Sequence, residues 1–111
     1  MMSRHLRTTL KNLTIFGFSQ TKANNINNAI NQDIANLLRI DSVRSVHVTK
    51  TGHPTSCASI AEIMSVLFFH EAGLKFHATN TKHFLNDRLV LSKGHAAPIL
   101  YSVLYRAKII S

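Results

Sequence analysis

The segment from Ile60 to about Ala72 is apolar on nearly every side of a helix, and it constrains the fold of this 111-residue chain more than any other feature. A helix of that kind must be covered by other elements. Residues 59–62 (Ser-Ile-Ala-Glu) fit a capping box at its start, and Gly73 is suited to end it. We therefore expect a buried helix around which the rest of the chain packs.

Apolar residues on either side of this segment predict two more helices and one strand. Upstream, a helix should begin near Ile26 and end before Gly52. Downstream, the run 89–91 (Leu-Val-Leu) predicts a short buried strand, and Pro98 is suited to the first turn of a third helix. This order predicts an α/β fold with a mostly parallel sheet, of which the present chain would supply a mostly helical part. The apolar face of the first helix is predicted to consist of Ile30, Ile34, Leu37, Ile40 and Val43.

Positive charge is distributed unevenly along the chain. The formal net charge is +8, and residues 1–32 contain four of the thirteen Lys and Arg residues but none of the five acidic ones. This segment is also rich in Ser, Thr and Asn, a composition typical of a mitochondrial transit peptide. A disordered tail or a start codon placed too far upstream are the alternatives. We divide the chain into a basic tail (1–32) and a partial folded domain (33–111), expected in the cytoplasm unless the tail directs it to the mitochondrion.

Composition disfavours several classes of function. The longest apolar run, 63–69, is far shorter than the roughly 18 residues of a membrane span. Basic and aromatic residues do not interleave in the manner of a nucleic-acid-stacking surface, so no nucleic-acid partner is expected. Cys57 is the single cysteine, and we expect it to be a small buried residue. The histidines at 70, 77 and 83 are widely spaced and lack a Cys or clustered carboxylates, so we assign no metal ligand.

Two short Gly-His segments have the character of ligand-binding turns. Residues 51–56 (Thr-Gly-His-Pro-Thr-Ser) and 92–98 (Ser-Lys-Gly-His-Ala-Ala-Pro) each lie where one predicted element gives way to a helix. Such junctions bind anions in α/β folds because helix N-termini offer unpaired N–H groups. Glycine permits close backbone approach, and histidine donates to anions or transfers protons near neutral pH. Ordinary turn residues or helix caps would give the same local pattern.

Together with their neighbours, these segments resemble the N-terminal region of transketolases, in particular the animal-type branch. The resemblance covers about residues 35–104, in the family's order and close to its spacing. It implies the N-terminal portion of a thiamine-diphosphate-binding α/β domain. Its most specific parts are residues 52–57 (Gly-His-Pro-Thr-Ser-Cys), 61–70 (Ala-Glu-Ile-Met-Ser-Val-Leu-Phe-Phe-His) and 86–101 (Asn-Asp-Arg-Leu-Val-Leu-Ser-Lys-Gly-His-Ala-Ala-Pro-Ile-Leu-Tyr).

The resemblance also implies an activity and a set of site residues. Transketolases transfer a two-carbon ketol unit between sugar phosphates in the pentose phosphate pathway, as homodimers that use thiamine diphosphate with Mg²⁺ or Ca²⁺. By resemblance, His53 would face the reacting carbons, where it would transfer protons or stabilise oxyanion charge. Ser56 and His95 would contact thiamine diphosphate.

Three departures from the family pattern bear on activity. The Gly-Asp-Gly motif that holds diphosphate and metal in the family does not occur in this sequence, so the metal ligands are absent from it. The glutamate that activates the cofactor's aminopyrimidine belongs to a later domain. The sequence also leaves the family pattern after about Leu104. We therefore expect a truncated and inactive chain, and the alternative function is a non-catalytic fragment that docks on a full-length transketolase or is an unstable remnant.

Overall fold

The computed structural model describes residues 20–111, and within them four α-helices and one 3-10 turn form the regular structure. In chain order these are α1 (Gln20–Thr49), α2 (Pro54–Ala58), α3 (Ala61–Phe69), the 3-10 turn (Gly94–Ala96) and α4 (Ala97–Arg106). Helix α1 packs against α3 and α4, and the short α2 contacts both α1 and the 3-10 turn. Most of the predicted tail lies outside the described residues, so the proposed boundary at residue 32 stays a prediction.

Helix α3 supplies the centre of the core, but it is buried on one side only. Met64, Phe68 and Phe69 are almost inaccessible to solvent, and the Ser65 hydroxyl donates a hydrogen bond of 2.7 Å to the backbone carbonyl of Asn31 in α1. Ile63, by contrast, remains 59% exposed. The prediction of a buried helix is therefore correct for one face, and the all-round apolar sequence leaves the other face uncovered by the described residues.

Both predicted ends of α3 are corrected by the structure. The capping box is wrong, because the Ser59 hydroxyl donates to the carbonyl of Ser56 at 2.9 Å and Ile60 caps the helix without a side-chain bond. The helix ends at Phe69, and the chain then folds back so that the Leu74 N–H donates to the carbonyl of Leu67. Gly73 lies at this close approach, where an added Cβ would collide with that carbonyl.

Helix α1 is already helical at Gln20, the first described residue and six positions before the predicted start, and it ends as predicted before Gly52. Its buried face overlaps the predicted one only in part, since Ile30 and Ile34 are half-buried and Ile34 packs against the core. Leu37, Ile40 and Val43 are 41%, 45% and 53% exposed. The stripe that packs against α3 and α4 instead consists of Asn31, Ala35, Leu38 and Ser42, at spacings of four, three and four residues.

The predicted strand at 89–91 is wrong. These residues carry no regular secondary structure, and Val90 is 89% exposed. A strand needs a neighbouring strand to pair its backbone groups, and none of residues 20–111 forms one. The third predicted helix is confirmed as α4, with Pro98 in its first turn.

A charged cluster joins the middle of α1 to the end of α4. The Asp41 carboxylate accepts hydrogen bonds from Nε and Nη2 of Arg106, the latter at 2.9 Å, and from the Ser102 hydroxyl at 2.7 Å. Partial burial would raise the pKa of Asp41, but the hydrogen bonds from Arg106 and Ser102, with the charges of Arg106 and Arg44, lower it below its ordinary value. The cluster therefore favours the ionised pair and ties the two helices together.

None of the helices within 20–111 is long and apolar enough to cross a membrane.

Candidate functional site

The two Gly-His segments, 42 positions apart between their histidines, meet in space. The ring centroids of His53 and His95 lie 4.3 Å apart, and the ring planes are inclined by 43°. His53 lies in the turn between α1 and α2, and His95 lies in the 3-10 turn that leads into α4. Contacts of α2 with the 3-10 turn and with α4 bring the two turns together.

Buried neighbours hold each exposed histidine in place. The carbonyl of His53 accepts the N–H of Cys57 at 3.3 Å, and Cys57 is fully buried in the core, as predicted for it. His95 is followed by Ala96, which is also fully buried and whose N–H donates to the carbonyl of Lys93 at 3.0 Å. Each imidazole is thus accessible to a ligand while the backbone that carries it is anchored.

Gly52 is required by the backbone conformation of the turn that carries His53. Its φ of +110° lies in the region that side chains with a Cβ seldom adopt. An added Cβ would also lie 3.0 Å from Cγ2 of Val46 and 3.6 Å from Cγ of Pro98. Gly94, before the second histidine, has open space around its Cα and no such φ. Glycine is therefore needed at Gly52, because of its φ and its tight contact with Val46, and the structure shows no such need at Gly94.

A cleft of about 400 Å³ lies beside the histidine pair. Its side chains come from the end of α1, the following turn, the 3-10 turn and the start of α4. They include no Asp, Glu, Lys or Arg, so hydroxyl groups and the two imidazoles supply its polar atoms. The lining residues are Ser45, Thr49, Thr51, Gly52, His53, Gly94, His95, Ala97, Pro98 and Tyr101.

The structure treats the predicted site residues differently. It brings His53 and His95 together, but Ser56 lies half-buried within α2 and is not among the residues that line the cleft. Lys93 turns toward α2, where its Nζ lies 3.1 Å from the Ser59 hydroxyl. Sequence reasoning missed Thr49 and Tyr101 as cleft residues, because their position beside the histidines depends on how α1 and α4 pack.

The loop histidines form a pair without a third ligand. His77 and His83 have ring centroids 4.7 Å apart, and His83 stacks on Phe84 at 5.1 Å. Across the part of the chain that the structure describes, no three His, Cys, Asp or Glu side chains are grouped as a metal ion would require. The arrangement gives no support to zinc binding by this loop.

Comparison with known proteins identifies the relationship of this chain. Residues 30–108 match the family model described as "Transketolase, thiamine diphosphate binding domain". The chain is 58% identical over 72 residues to transketolase-like protein 2 of Mus musculus, and 57% identical over 72 residues to transketolase of Homo sapiens; each match covers 65% of this chain and 11% of the relative. Transketolase-like protein 2 of Bos taurus is 54% identical over 80 residues, which is 72% of this chain and 12% of the relative. No solved structure matches the chain.

These matches confirm the resemblance and the predicted fold class, the N-terminal portion of a thiamine diphosphate-binding α/β domain that is mostly helical within this chain. They also place both Gly-His segments inside the matched region. The chain spans only about a tenth of the length of the curated relatives it matches. It belongs to the transketolase family, through the thiamine diphosphate-binding domain of that family.

Proposed function

We propose that the cleft beside His53 and His95 is part of a thiamine diphosphate site that serves the transfer of a two-carbon ketol unit between sugar phosphates. The contact between the two imidazoles, in a chain of the transketolase family, is the observation that carries the proposal. Two histidines from separate turns converge on one open cleft, which is the geometry that a shared ligand requires.

The donor set of the cleft suits the diphosphate end of the cofactor. Imidazole N–H groups donate to phosphate oxygens, and both rings are exposed to the cleft. The cleft contains no carboxylate, so the residues that line it do not fit the Mg²⁺ or Ca²⁺ ion of the family. We therefore assign thiamine diphosphate, and no metal ion, to the described residues.

His53 and His95 have separate roles in this proposal. When bound, the cofactor would supply a nucleophilic carbon, and its positively charged ring would serve as the electron sink for the ketol fragment. His53 would hold or move a proton at the oxygens of the reacting carbons, while His95 would orient the diphosphate. Ser56 lies in α2 and does not line the cleft, so the cofactor would have to extend past the edge of the cleft to contact it.

Binding of thiamine diphosphate to the purified chain tests this proposal. We expect His53→Ala and His95→Ala each to weaken binding by about tenfold or more, because a hydrogen bond to a charged group contributes roughly 1.5–3 kcal/mol. His47→Ala is the matched control, since His47 is exposed on α1 and does not line the cleft. Histidine C2–H signals in NMR spectra and calorimetric titration would both report the binding. Equal affinity in all four proteins would contradict the proposal.

Further proposals concern the oligomeric state, substrates and location of a complete enzyme that contains this chain. We propose a homodimer acting on sugar phosphates in the pentose phosphate pathway, located in the cytoplasm unless residues 1–32 direct it to the mitochondrion. The isolated chain would then supply only part of the site and would not turn over sugar phosphates. A coupled assay that showed ketol transfer by the purified chain would contradict this, and a reporter fused to residues 1–32 would decide the location.

A second candidate is a non-catalytic chain that docks on a full-length transketolase. It is favoured by large apolar side chains that the described residues leave exposed, including Ile63 of α3 and Val90. Co-purification with a full-length transketolase, lost on Val90→Lys and retained on the exposed control Thr79→Lys, would support it. Absence of co-purification would leave thiamine diphosphate binding as the function to be tested.

A further inference from the structure

Beyond the two imidazoles, the cleft is lined by hydroxyl groups from α1, from the turn that follows it and from α4. Ser45, Thr49 and Thr51 come from the end of α1 and the turn after it, and Tyr101 comes from α4. We call these four residues the hydroxyl wall. The Tyr101 side chain is 63% exposed, so its ring is available to a ligand in the cleft.

Hydrogen bonds fix part of this wall. The Thr49 hydroxyl donates to the backbone carbonyl of Ser45 at 2.9 Å and accepts the N–H of Thr51 at 3.4 Å. The two threonine hydroxyls lie 3.2 Å apart. The hydroxyls of Ser45 and Tyr101 make no hydrogen bond with any residue in 24–111. The wall thus combines a positioned hydroxyl pair with two hydroxyls that are free to bind.

The chemistry of the wall selects one class of ligand group. Hydroxyls both donate and accept, and a sugar's hydroxyls do the same. The absence of Lys, Arg, Asp and Glu from the lining makes the wall unsuited to a second charged group. An exposed aromatic ring can stack on the C–H face of a sugar, where apolar area is buried without desolvating a charge.

We propose that Tyr101 is a specificity-determining residue, which together with Ser45, Thr49 and Thr51 binds the polyhydroxylated carbon chain of a sugar phosphate. This inference rests on the proposed function, since it assumes that the imidazole pair holds the anionic and reacting part of the ligands. It adds a contact to the sugar that the Gly-His segments do not provide.

The chain offers a matched control on the same helix. It contains only two tyrosines, and Tyr105 lies one turn after Tyr101, is 53% exposed and does not line the cleft. Labelling tyrosine with ¹³C therefore gives ring signals from two residues, of which one should respond. The Lys108 ammonium lies 5.7 Å from the Tyr105 ring, which distinguishes the surroundings of the two tyrosines.

The test titrates the full chain with ribose 5-phosphate and, separately, with inorganic pyrophosphate. We expect ribose 5-phosphate to shift the Tyr101 signals and leave those of Tyr105 in place. Tyr101→Ala should weaken ribose 5-phosphate binding about fivefold and change pyrophosphate binding less than about twofold, while Tyr105→Ala changes neither. Tyr101→Phe should retain most of the affinity, because the ring supplies the stacking.

Several results would overturn the inference. These are no response of Tyr101 to ribose 5-phosphate, equal responses of both tyrosines, and an unchanged affinity in Tyr101→Ala. A loss of pyrophosphate affinity as large as that of ribose 5-phosphate would also overturn it, since Tyr101 would then act on the anionic end. Failure of the proposed function has a different signature: the histidine C2–H signals would not respond to pyrophosphate, while the tyrosine signals still report on the sugar.

Discussion

At the scale of single residues, two neighbouring positions show what a sequence conveys about backbone conformation. Gly52 and Lys50 both have positive φ, +110° and +56°. Glycine signals such a conformation because it has no Cβ, whereas lysine gives no sign of it. The unusual backbone conformation at Gly52 could therefore be predicted, while the left-handed conformation of Lys50, just after α1, could not.

Lys50→Gly is expected to stabilise the chain by about 0.5 kcal/mol. Relief of the left-handed strain outweighs the greater flexibility that glycine gives to the unfolded chain. The midpoint of urea unfolding, measured in dilute solution, would show the change. Lys82→Gly is the control, because Lys82 is exposed and does not have positive φ, and it should be slightly destabilising. Destabilisation by Lys50→Gly would show that the strain is not released.

At the scale of helices, the orientation of α1 shows why hydrophobic spacing alone predicted its buried face only in part. Two members of its buried stripe are polar, Asn31 and Ser42. The Asn31 carbonyl accepts the Ser65 hydroxyl, and the Ser42 hydroxyl donates to the Leu38 carbonyl at 2.7 Å, so both can be buried with their hydrogen bonds satisfied. A search that counts only apolar residues therefore predicts a buried face centred on the isoleucines of α1, and it misses the polar members of the true one.

The charged cluster between α1 and α4 makes the stability of the fold depend on pH, and the direction of that dependence can be predicted. Because the folded pKa of Asp41 lies below its unfolded value of roughly 3.9, its ionised form stabilises the fold. This contribution is fully present above the unfolded pKa and is lost as the pH falls through the folded pKa. Asp41→Asn should therefore lower the free energy of unfolding by about 1–3 kcal/mol at neutral pH and by progressively less below about pH 4.

Glu62→Gln provides the comparison for Asp41→Asn. Glu62 accepts a hydrogen bond from Arg39, which lowers its pKa, but its side chain is 48% exposed against 23% for Asp41. Solvent screening should limit its effect to less than about 1 kcal/mol. Chemical unfolding of both variants across pH would measure the loss of unfolding free energy in each. Equal losses would contradict the larger contribution that we assign to the charged cluster between α1 and α4.

At the scale of the whole chain, the sequence predicted the parts of the fold that local pattern determines. It predicted three helical segments, which the structure confirms. The ligand expected at the Gly-His turns stays a prediction, although the structure brings His53 and His95 together. The strand at 89–91 depends on pairing with another strand, which the described residues do not contain. The residues across the cleft, such as Tyr101, depend on how α4 packs and could not be located without the tertiary structure.

The exposed apolar residues lead to a prediction about association of the chain in solution. Leu37, Ile40, Ile63 and Val90 are large apolar residues that remain between 41% and 89% exposed. Burial of apolar surface favours association, so we expect self-association that increases with concentration in analytical ultracentrifugation.

Val90→Lys should shift this equilibrium toward monomer without changing the helical circular dichroism, since residue 90 lies outside every helix. Thr79→Lys adds the same charge at an exposed polar position and should not shift it. A monodisperse monomer that unfolds cooperatively would contradict the prediction, because it would show that these faces are stable in contact with water.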